Sequence, residues 1–313
     1  MPSTPNIDDI FRAGASATVA IDLLGLLHNL PGHWTGKGFN MIARPAHEGD
    51  PAKPTFFLEL NGTQETLEFT TIGGDIPNRG EIEPTALLHG IHYLQTVADC
   101  EDNSFIHKEP GLWIHVPKTT ESPDTDTYVR HATIPHGTSL AAQSTFFGTF
   151  PTGPEIKPVD SFPFPLKDPI PDLNDITHAT IPSTSKYVVP YLTTPLPPDC
   201  MPKGLDAAKT IKDPTEVLRA QIAGQNIVET VVIQISTNAL QGGGIVNIPF
   251  LVQNANVAQM DAIFWIEKVT NPTKQPSDPN VQFMQLQYVQ RVILDFDNIH
   301  WPHFSVATLV KAA

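Results

Sequence analysis

The sequence predicts an all-β protein built as one antiparallel barrel of about ten strands. Short apolar stretches recur along the chain and are separated by Gly, Pro, Asn and Asp, a pattern typical of antiparallel barrels and sandwiches. An early stretch places Gly36 and Gly38 on the same face as Trp34, and a glycine-rich face suits a strand that bends sharply. Residues 282–292 alternate cleanly, so one face of that strand must be wet or line a polar cavity.

The composition limits the classes of partner. The 313 residues carry 33 acidic and 19 basic side chains, a net charge of −14, which argues against a nucleic acid or an anionic membrane as partner. The two cysteines, Cys100 and Cys200, predict neither a disulfide framework nor a Cys-rich zinc site. The N-terminus lacks the pattern of a signal peptide and no apolar run is long enough to span a bilayer, so we expect a cytoplasmic protein.

The first half of the chain supplies an N-terminal arm, one short helix and most of the early strands. An apolar pattern from about residue 17 to residue 30 predicts the helix, which Pro31 and Gly32 end. Seven strands are expected to follow before the chain changes character. They cover residues 32–43, 55–60, 65–72, 90–98, 111–116, 127–134 and 140–147.

Residues 148–226 interrupt the strand pattern. Thirteen prolines between Pro151 and Pro202 make a regular ladder nearly impossible there. We therefore predict an extended insertion wrapped over the barrel, followed by a helix that Asp213 caps and that runs to about Ala223. The aromatic residues expected to anchor the insertion are Phe162, Phe164, Tyr187 and Tyr191.

The last third of the chain returns to strands, and the barrel is expected to close between strands that precede and follow the insertion. Residues 1–313 would then form a single domain, with 1–30 as an N-terminal arm and short helix. The strands predicted after the insertion cover residues 227–237, 244–254, 260–269, 281–296 and 299–310.

The final strand carries the main candidate for a metal ligand. Alternation places His303, Ser305 and Ala307 on one face, which leaves room beside the imidazole for a bulky flat molecule. A neutral imidazole is a common donor to iron and zinc, so we predict that His303 ligates a metal cofactor, with haem favoured and His300 as the other candidate. The alternative is that His303 only packs in the protein, because Pro302 marks a strand entry or an edge and explains part of the pattern without a cofactor.

Three segments together resemble a known family. They are Gly32-His-Trp-Thr-Gly-Lys-Gly, a middle block with His107-Lys-Glu-Pro-Gly-Leu-Trp, and the closing His303-Phe-Ser. In this order the segments are similar to those of the nitrobindin family, ferric-haem β-barrels related to fatty-acid-binding proteins. The resemblance implies haem b held through one histidine, and reactivity toward nitric oxide, peroxynitrite or peroxide, as in a peroxidase or a peroxynitrite isomerase. It does not cover residues 148–226.

The resemblance also suggests residues around the haem. Trp34, Gly36 and Gly38 would let a porphyrin lie against the backbone, with His92 as a further cofactor contact. Trp34 could equally be a plug at one end of the barrel.

Histidines of the central strands are candidates for acid–base chemistry in such a cavity. His107 is favoured as the catalytic group because it shares a strand face with Glu109, although such a pair can also be an exposed cross-strand contact. The other candidates are His115, His131 and His136.

Two other functions stay open. A lipocalin-like carrier of an apolar small molecule would use the same barrel without iron. The Pro-rich insertion could instead make the chain an interaction module, for example as a homodimer formed through residues 148–226.

Overall fold

The computed structural model describes residues 21–46, 56–82, 85–120, 125–239, 242–271, 278 and 281–312. Ten long strands form a closed antiparallel barrel, which confirms the predicted fold class. In order around the wall they are β1 (Gly32–Pro45), β2 (Phe56–Thr71), β4 (Ala86–Asp99), β5 (Phe105–Val116), β6 (Thr127–Ile134), β7 (Thr138–Phe150), β9 (Asn226–Ser236), β11 (Asn256–Thr270), β12 (Gln282–Phe296) and β13 (Ile299–Lys311). Three short strands pair outside this ring: β3 (Ile76–Asn78) with β4, β8 (Phe164–Pro165) with β13, and β10 (Gly244–Asn247) with β7.

The barrel closes between β1 and β13, where two glycines allow the strands to approach. A Cβ on Gly36 would lie 2.0 Å from the carbonyl oxygen of Thr308, and one on Gly38 would lie 2.3 Å from that of Val306. The two strands pair from Trp34–Lys311 to Met41–Phe304. The glycines of β1 therefore allow the backbone of β13 to pack closely against β1 where the barrel closes.

Residues 21–30 plug one end of the barrel. A 3-10 helix (Gly25–Asn29) follows residue 24, and Leu27 is completely buried in the core. Trp34 Nε1 donates a 2.8 Å hydrogen bond to the carbonyl of Leu30, which fixes the fully buried indole beneath this helix. Of the predicted helix, residues 21 and 22 are α-helical and residues 25–29 are 3-10 helical, while residues 17–20 and the arm before them lie outside the described residues.

Two predicted strand assignments were wrong, and β5 begins at Phe105 although a start at residue 111 was predicted. Residues 56–71 form the single strand β2, although two strands were expected, because the polar stretch around Asn61 continues the ladder with β1. Residues 244–254 are not one strand. After β10, Pro249 starts the helix α4 (Pro249–Asn254), and a proline without an N–H cannot extend a ladder.

The insertion is an ordered layer over the outer face of the barrel. It contains the helices α1 (Val189–Thr193), α2 (Ala207–Lys212) and α3 (Thr215–Ile222), and α3 packs against β13. Three of the four predicted aromatic anchors are buried and Tyr187 is partly buried, as expected of a wrapped arm. Asp213 Oδ1 accepts a hydrogen bond from the Thr215 amide at 3.2 Å, which supports the predicted start of α3.

A disulfide between Cys100 and Cys200 ties the insertion to the β4–β5 turn. The sequence pointed to no disulfide framework and did not predict this single bridge, because a separation of 100 residues in sequence gives no sign of contact in space. The backbone at Asp199 packs closely on β2, where a Cβ on Gly62 would lie 2.1 Å from the Asp199 carbonyl oxygen. Among the helices that the structure describes, none has the length and apolar character needed to cross a membrane.

Candidate functional site

The barrel encloses a cavity of about 490 Å³, within the usual range for small-molecule sites. It lies toward the end of the barrel that carries the β4–β5 turn, the β6–β7 turn and α4. Its apolar walls include Ile42, Val97, Ile106, Leu140, Leu251, Met260 and Leu294. Its polar groups include Asn40, Glu65, Gln95, His107, His136, Tyr288, Gln290, His303 and Ser305.

His303 lies on the cavity wall, as its strand alternation predicted. Its Nε2 donates a 2.8 Å hydrogen bond to Asn40 Oδ1, and Ser305 Oγ donates to the same oxygen at 2.9 Å. Nε2 therefore carries the proton, and Nδ1 is the basic nitrogen of the ring. Burial lowers the pKa of His303 to about 3, with charge on His107 and His136 adding to the shift, so the ring is neutral at physiological pH.

Two further histidines lie on the wall opposite His303. His107 is on β5 and His136 is in the β6–β7 turn, and β5 and β7 are each four strands from β13 around the ten-stranded ring. The two rings stack with centroids 5.9 Å apart. His107 Nε2 donates to Glu109 Oε2 at 3.3 Å.

Glu109, the hydrogen-bond partner of His107, belongs to a buried ionic network. Arg130 and Tyr93 both donate to Glu109 Oε1, and Arg130 Nη1 also donates to Gln290 Oε1 at 2.6 Å. Burial alone would raise the pKa of Glu109, but the Arg130 guanidinium and the hydrogen bond from His107 lower it to about 2. Glu109 therefore stays ionised and fixes a proton on the His107 nitrogen that faces it.

Glu65 is a second buried acid at the cavity. Its Oε2 accepts hydrogen bonds from Tyr288 at 2.6 Å and Gln95 at 3.2 Å, and its Oε1 accepts one from Thr63 at 2.9 Å. Burial raises the pKa of Glu65 although these hydrogen bonds oppose the shift. Glu65 thus lines the cavity with a raised pKa, while Glu109, which is fully buried behind His107, stays ionised beside Arg130.

His300, the other candidate metal ligand, lies outside the cavity. Its Nδ1 donates to Asp295 Oδ1 at 2.5 Å, and its ring packs on Phe164 of the insertion with centroids 4.8 Å apart. The strand alternation explains this placement, because His300 and His303 are an odd number of residues apart and face opposite sides of β13. The structure therefore gives His300 a role in holding the insertion.

The residues predicted around a porphyrin lie elsewhere. Trp34 belongs to the plug, and the space beside Gly36 and Gly38 is filled by the backbone of β13. His92 is exposed on β4, as is His131 on β6.

His115, a further candidate, lies at the plugged end of the barrel. Its Nδ1 donates to the carbonyl of Leu23 at 2.9 Å, and its ring stacks on Tyr128. His303, His107 and His136 are therefore the predicted histidines that the fold brings together in the cavity.

Several cavity residues were not singled out from the sequence. Asn40 and Glu65 lie on strands expected from the pattern, but nothing local distinguishes them from exposed polar residues. Tyr288 falls within the cleanly alternating stretch of β12, where the inner face could not be chosen. Only the closure of β1 on β13 brings Asn40 to His303, across 263 residues of sequence.

The donor set does not form a preassembled site for a bare metal ion. In the parts of the chain that the structure describes, no group of three or more His, Cys, Asp or Glu side chains is placed to hold a metal. A haem needs only one donor from the protein, because its macrocycle supplies four nitrogens. His303, neutral and on the cavity wall, meets that requirement.

Comparisons with known proteins give a distant likeness to solved structures. No family model matches the chain, and no curated protein sequence matches it. The chain is similar to Rv2717c from M. tuberculosis, known from a crystal structure, at 12% sequence identity and a TM-score of 0.42. The match covers 94% of this chain and 98% of that one. A likeness at this level assigns no function.

Proposed function

We propose that this barrel binds haem b in its cavity, with His303 as the protein ligand to iron. The observation that supports the proposal is the state of His303: a neutral imidazole on the cavity wall, with one nitrogen held by Asn40 and the other basic. Histidines that bind metals commonly donate their second N–H to a fixed acceptor, which sets the tautomer and the ring orientation.

The residues present fit such a group. With Nε2 hydrogen-bonded to Asn40, Nδ1 of His303 would be the atom that binds iron. Breaking the hydrogen bond to Asn40 would free Nε2 for that role. The apolar walls of the cavity suit a macrocycle, and Ser305, two residues along the same face, adds little bulk. When bound, haem supplies an iron centre for small ligands such as nitric oxide, peroxynitrite or peroxide.

The chain's own residues contribute to such chemistry from the opposite wall. His107 is held by Glu109 through Nε2, so its orientation is fixed before any ligand enters. The ion pair of Glu109 with Arg130 keeps that carboxylate charged and in place. We propose His107 as the acid–base group that contacts a small oxidant or gas in this cavity, as the sequence suggested.

Titration with haemin tests the proposal. The absorption spectrum is recorded as haemin is added to wild type, His303→Ala and His300→Ala. We expect a sharp Soret band at one equivalent for wild type and His300→Ala, and only the spectrum of free haemin for His303→Ala. Loss of the band in His300→Ala with retention in His303→Ala would show that His300 binds the iron, which contradicts the proposal.

A carrier of an apolar small molecule without iron is the second candidate. One observation favours it: exposed apolar side chains lie beside the cavity. Phe105 is 61% exposed while it lines the cavity, and Phe250 of α4 is 67% exposed. Mass spectrometry of organic extracts from the purified protein would show a stoichiometric apolar compound if this function is the correct one.

Partners and location are separate proposals. The cavity and the net charge of −14 support a small molecule or gas as partner over a polyanion. The Cys100–Cys200 bridge favours an oxidising compartment over the cytoplasm expected from the sequence, because such bridges are rare in cytosolic proteins. Light scattering on the chain with and without residues 151–205 would test a homodimer formed through the insertion.

A further inference from the structure

We propose that the inner end of the cavity binds an organic cation, a protonated primary amine with an apolar body, whose ammonium group pairs with Glu65. The inference goes beyond the proposed function, because it assigns a ligand class to Glu65 and its neighbours whether or not His303 binds iron. It gives a role to a buried acid that the proposed haem chemistry does not use.

Glu65 lies at the inner end of the cavity. Its side chain lines the cavity from β2, and the residue is only 4% exposed. On the same face of β2, Leu67 and Phe69 continue toward the plugged end of the barrel as core residues. A molecule whose head group reaches Glu65 therefore has its body between the apolar walls, with Val97 and Leu140 among its neighbours.

The neighbours of Glu65 already donate their protons within the group. The hydroxyls of Tyr288 and Thr63 donate to the two carboxyl oxygens, at 2.6 and 2.9 Å. The amide nitrogen of Gln95 donates to Glu65 at 3.2 Å and to the Tyr288 oxygen at 3.0 Å, while Gln95 Oε1 accepts no hydrogen bond from the described residues. With Glu65 ionised, the unused hydrogen-bonding capacity of the group therefore consists of acceptors. A ligand at this place has to be a donor, and an ammonium group offers three N–H bonds.

The Glu65 carboxyl has no ion-pair partner among the described residues. Arg44 is the only arginine or lysine among those that line the cavity, and it is half-exposed and paired with Glu59 at 2.9 Å. A charge on His107 would favour the ionised carboxyl, but His107 Nε2 forms its hydrogen bond with Glu109. Burial raises the pKa of Glu65, and an ammonium group bound beside it would supply the missing opposite charge and lower that pKa again.

The charge of the whole chain favours a ligand of the same sign. A net charge of −14 attracts cations toward the protein and opposes the entry of anions such as fatty-acid carboxylates. Inside the cavity, a carboxylate ligand would also be repelled by an ionised Glu65. The site should therefore select an amine over an acid of the same chain length, and over an alcohol, which offers one donor and no charge.

Titration with octylamine, 1-octanol and octanoate tests the site on the full chain without added haem. These ligands have eight carbon atoms each and differ in the head group. Isothermal titration calorimetry is carried out at pH 8, where octylamine still carries its proton. We expect octylamine to bind at one molecule per chain and at least about 10-fold more tightly than 1-octanol, because its hydrogen bonds to Glu65 are charge-assisted. Octanoate should bind more weakly than either. Equal affinities for octylamine and 1-octanol would overturn the proposal.

Replacement of Glu65 tests whether this residue causes the preference. Glu65→Gln keeps the size of the side chain and removes its charge, so it should lower the affinity for octylamine at least about 10-fold and leave that for 1-octanol within about 2-fold. Glu68→Gln is the matched control, because it removes the same formal charge from an exposed position on β2 and should leave both affinities unchanged. Unchanged octylamine affinity in Glu65→Gln, or an equal loss in Glu68→Gln, would overturn the proposal. If Glu65→Gln does not fold, the comparison of ligands on wild type still decides. No step requires haem, so a failure of haem binding and a failure of amine binding are distinguishable.

Discussion

Asn40 and His303 meet inside the barrel through a 2.8 Å hydrogen bond from His303 Nε2 to Asn40 Oδ1. The contact exists only because β1 pairs with β13, and two glycines of β1 permit that pairing. It gives the imidazole one orientation and one tautomer before any ligand arrives. The strand pairing that closes the barrel therefore also orients the imidazole of His303.

Replacement of Asn40 tests this contact. Asn40→Ala should weaken haem binding about 10-fold to 100-fold, the usual cost of removing the acceptor that orients a metal-binding histidine. Ser305→Ala is the matched control, because Ser305 donates to the same Asn40 oxygen but leaves the His303 hydrogen bond intact. Haemin titration followed by absorbance measures both affinities. Equal affinities for Asn40→Ala and wild type would show that the contact does not prepare the ligand.

The ion pair between Glu109 and Arg130 should contribute strongly to stability. Glu109→Gln leaves the buried Arg130 guanidinium without its counter-charge, which should lower the free energy of unfolding by about 3–5 kcal/mol. Glu59→Gln is the control, because it breaks the exposed Arg44–Glu59 pair and should cost less than about 1 kcal/mol. Urea unfolding followed by circular dichroism measures both variants. Similar losses in the two would contradict the buried network.

His303 should make the protein sensitive to mild acid. Its folded-state pKa of about 3 lies below the ordinary value of 6.5, so between these values the unfolded chain binds more protons than the native protein. Stability should therefore fall as the pH drops from about 6.5 toward 3. In His303→Gln this part of the pH dependence should be lost, as measured by thermal unfolding at several pH values. An unchanged slope would mean that His303 is not held neutral by burial.

Glu267 should have the opposite pH dependence. This completely buried carboxyl accepts from Gln285, and burial raises its pKa from 4.5 to about 7 despite that hydrogen bond. The native protein then binds more protons than the unfolded chain between these values, so stability should fall as the pH rises from 4.5 to 7. Glu267→Gln should remove this loss and show its largest advantage above pH 7. A constant difference in melting temperature between pH 4 and pH 8 would contradict it.

The Cys100–Cys200 bridge should stabilise the chain by about 2–4 kcal/mol, because it constrains a long loop of the unfolded state. Serine at both positions should lower the free energy of unfolding by this amount, while wild type treated with a reductant should approach the same value. Urea unfolding with and without reductant provides the comparison. No effect of reductant on wild type would mean that the bridge is absent in solution.

Much of the barrel could be predicted because each strand carries a local signal of alternation and turn residues. Open space beside His303 was expected because its neighbours Ser305 and Ala307 are small and its strand alternates, and His303 does line the cavity. His300 was named as the other candidate ligand only for its proximity in sequence, although alternation puts it on the other face of β13.

What could not be predicted depends on contacts between distant segments. Gly36 and Gly38 suggested room for a ligand, but a glycine signals any close approach, and here the neighbour is strand β13. The same limit applies to the Cys100–Cys200 bridge and to the choice of His136 among the central histidines. Only the closed barrel shows which of these residues share one space.

Chemical rescue of His303 tests the central claim most directly. His303→Gly is titrated with haemin in the absence and presence of free imidazole, beside wild type and His300→Gly. The account predicts that His303→Gly loses the wild-type Soret band and regains it when imidazole is added, while His300→Gly keeps the band throughout. A wild-type spectrum in His303→Gly without imidazole would contradict the assignment of His303 as the iron ligand.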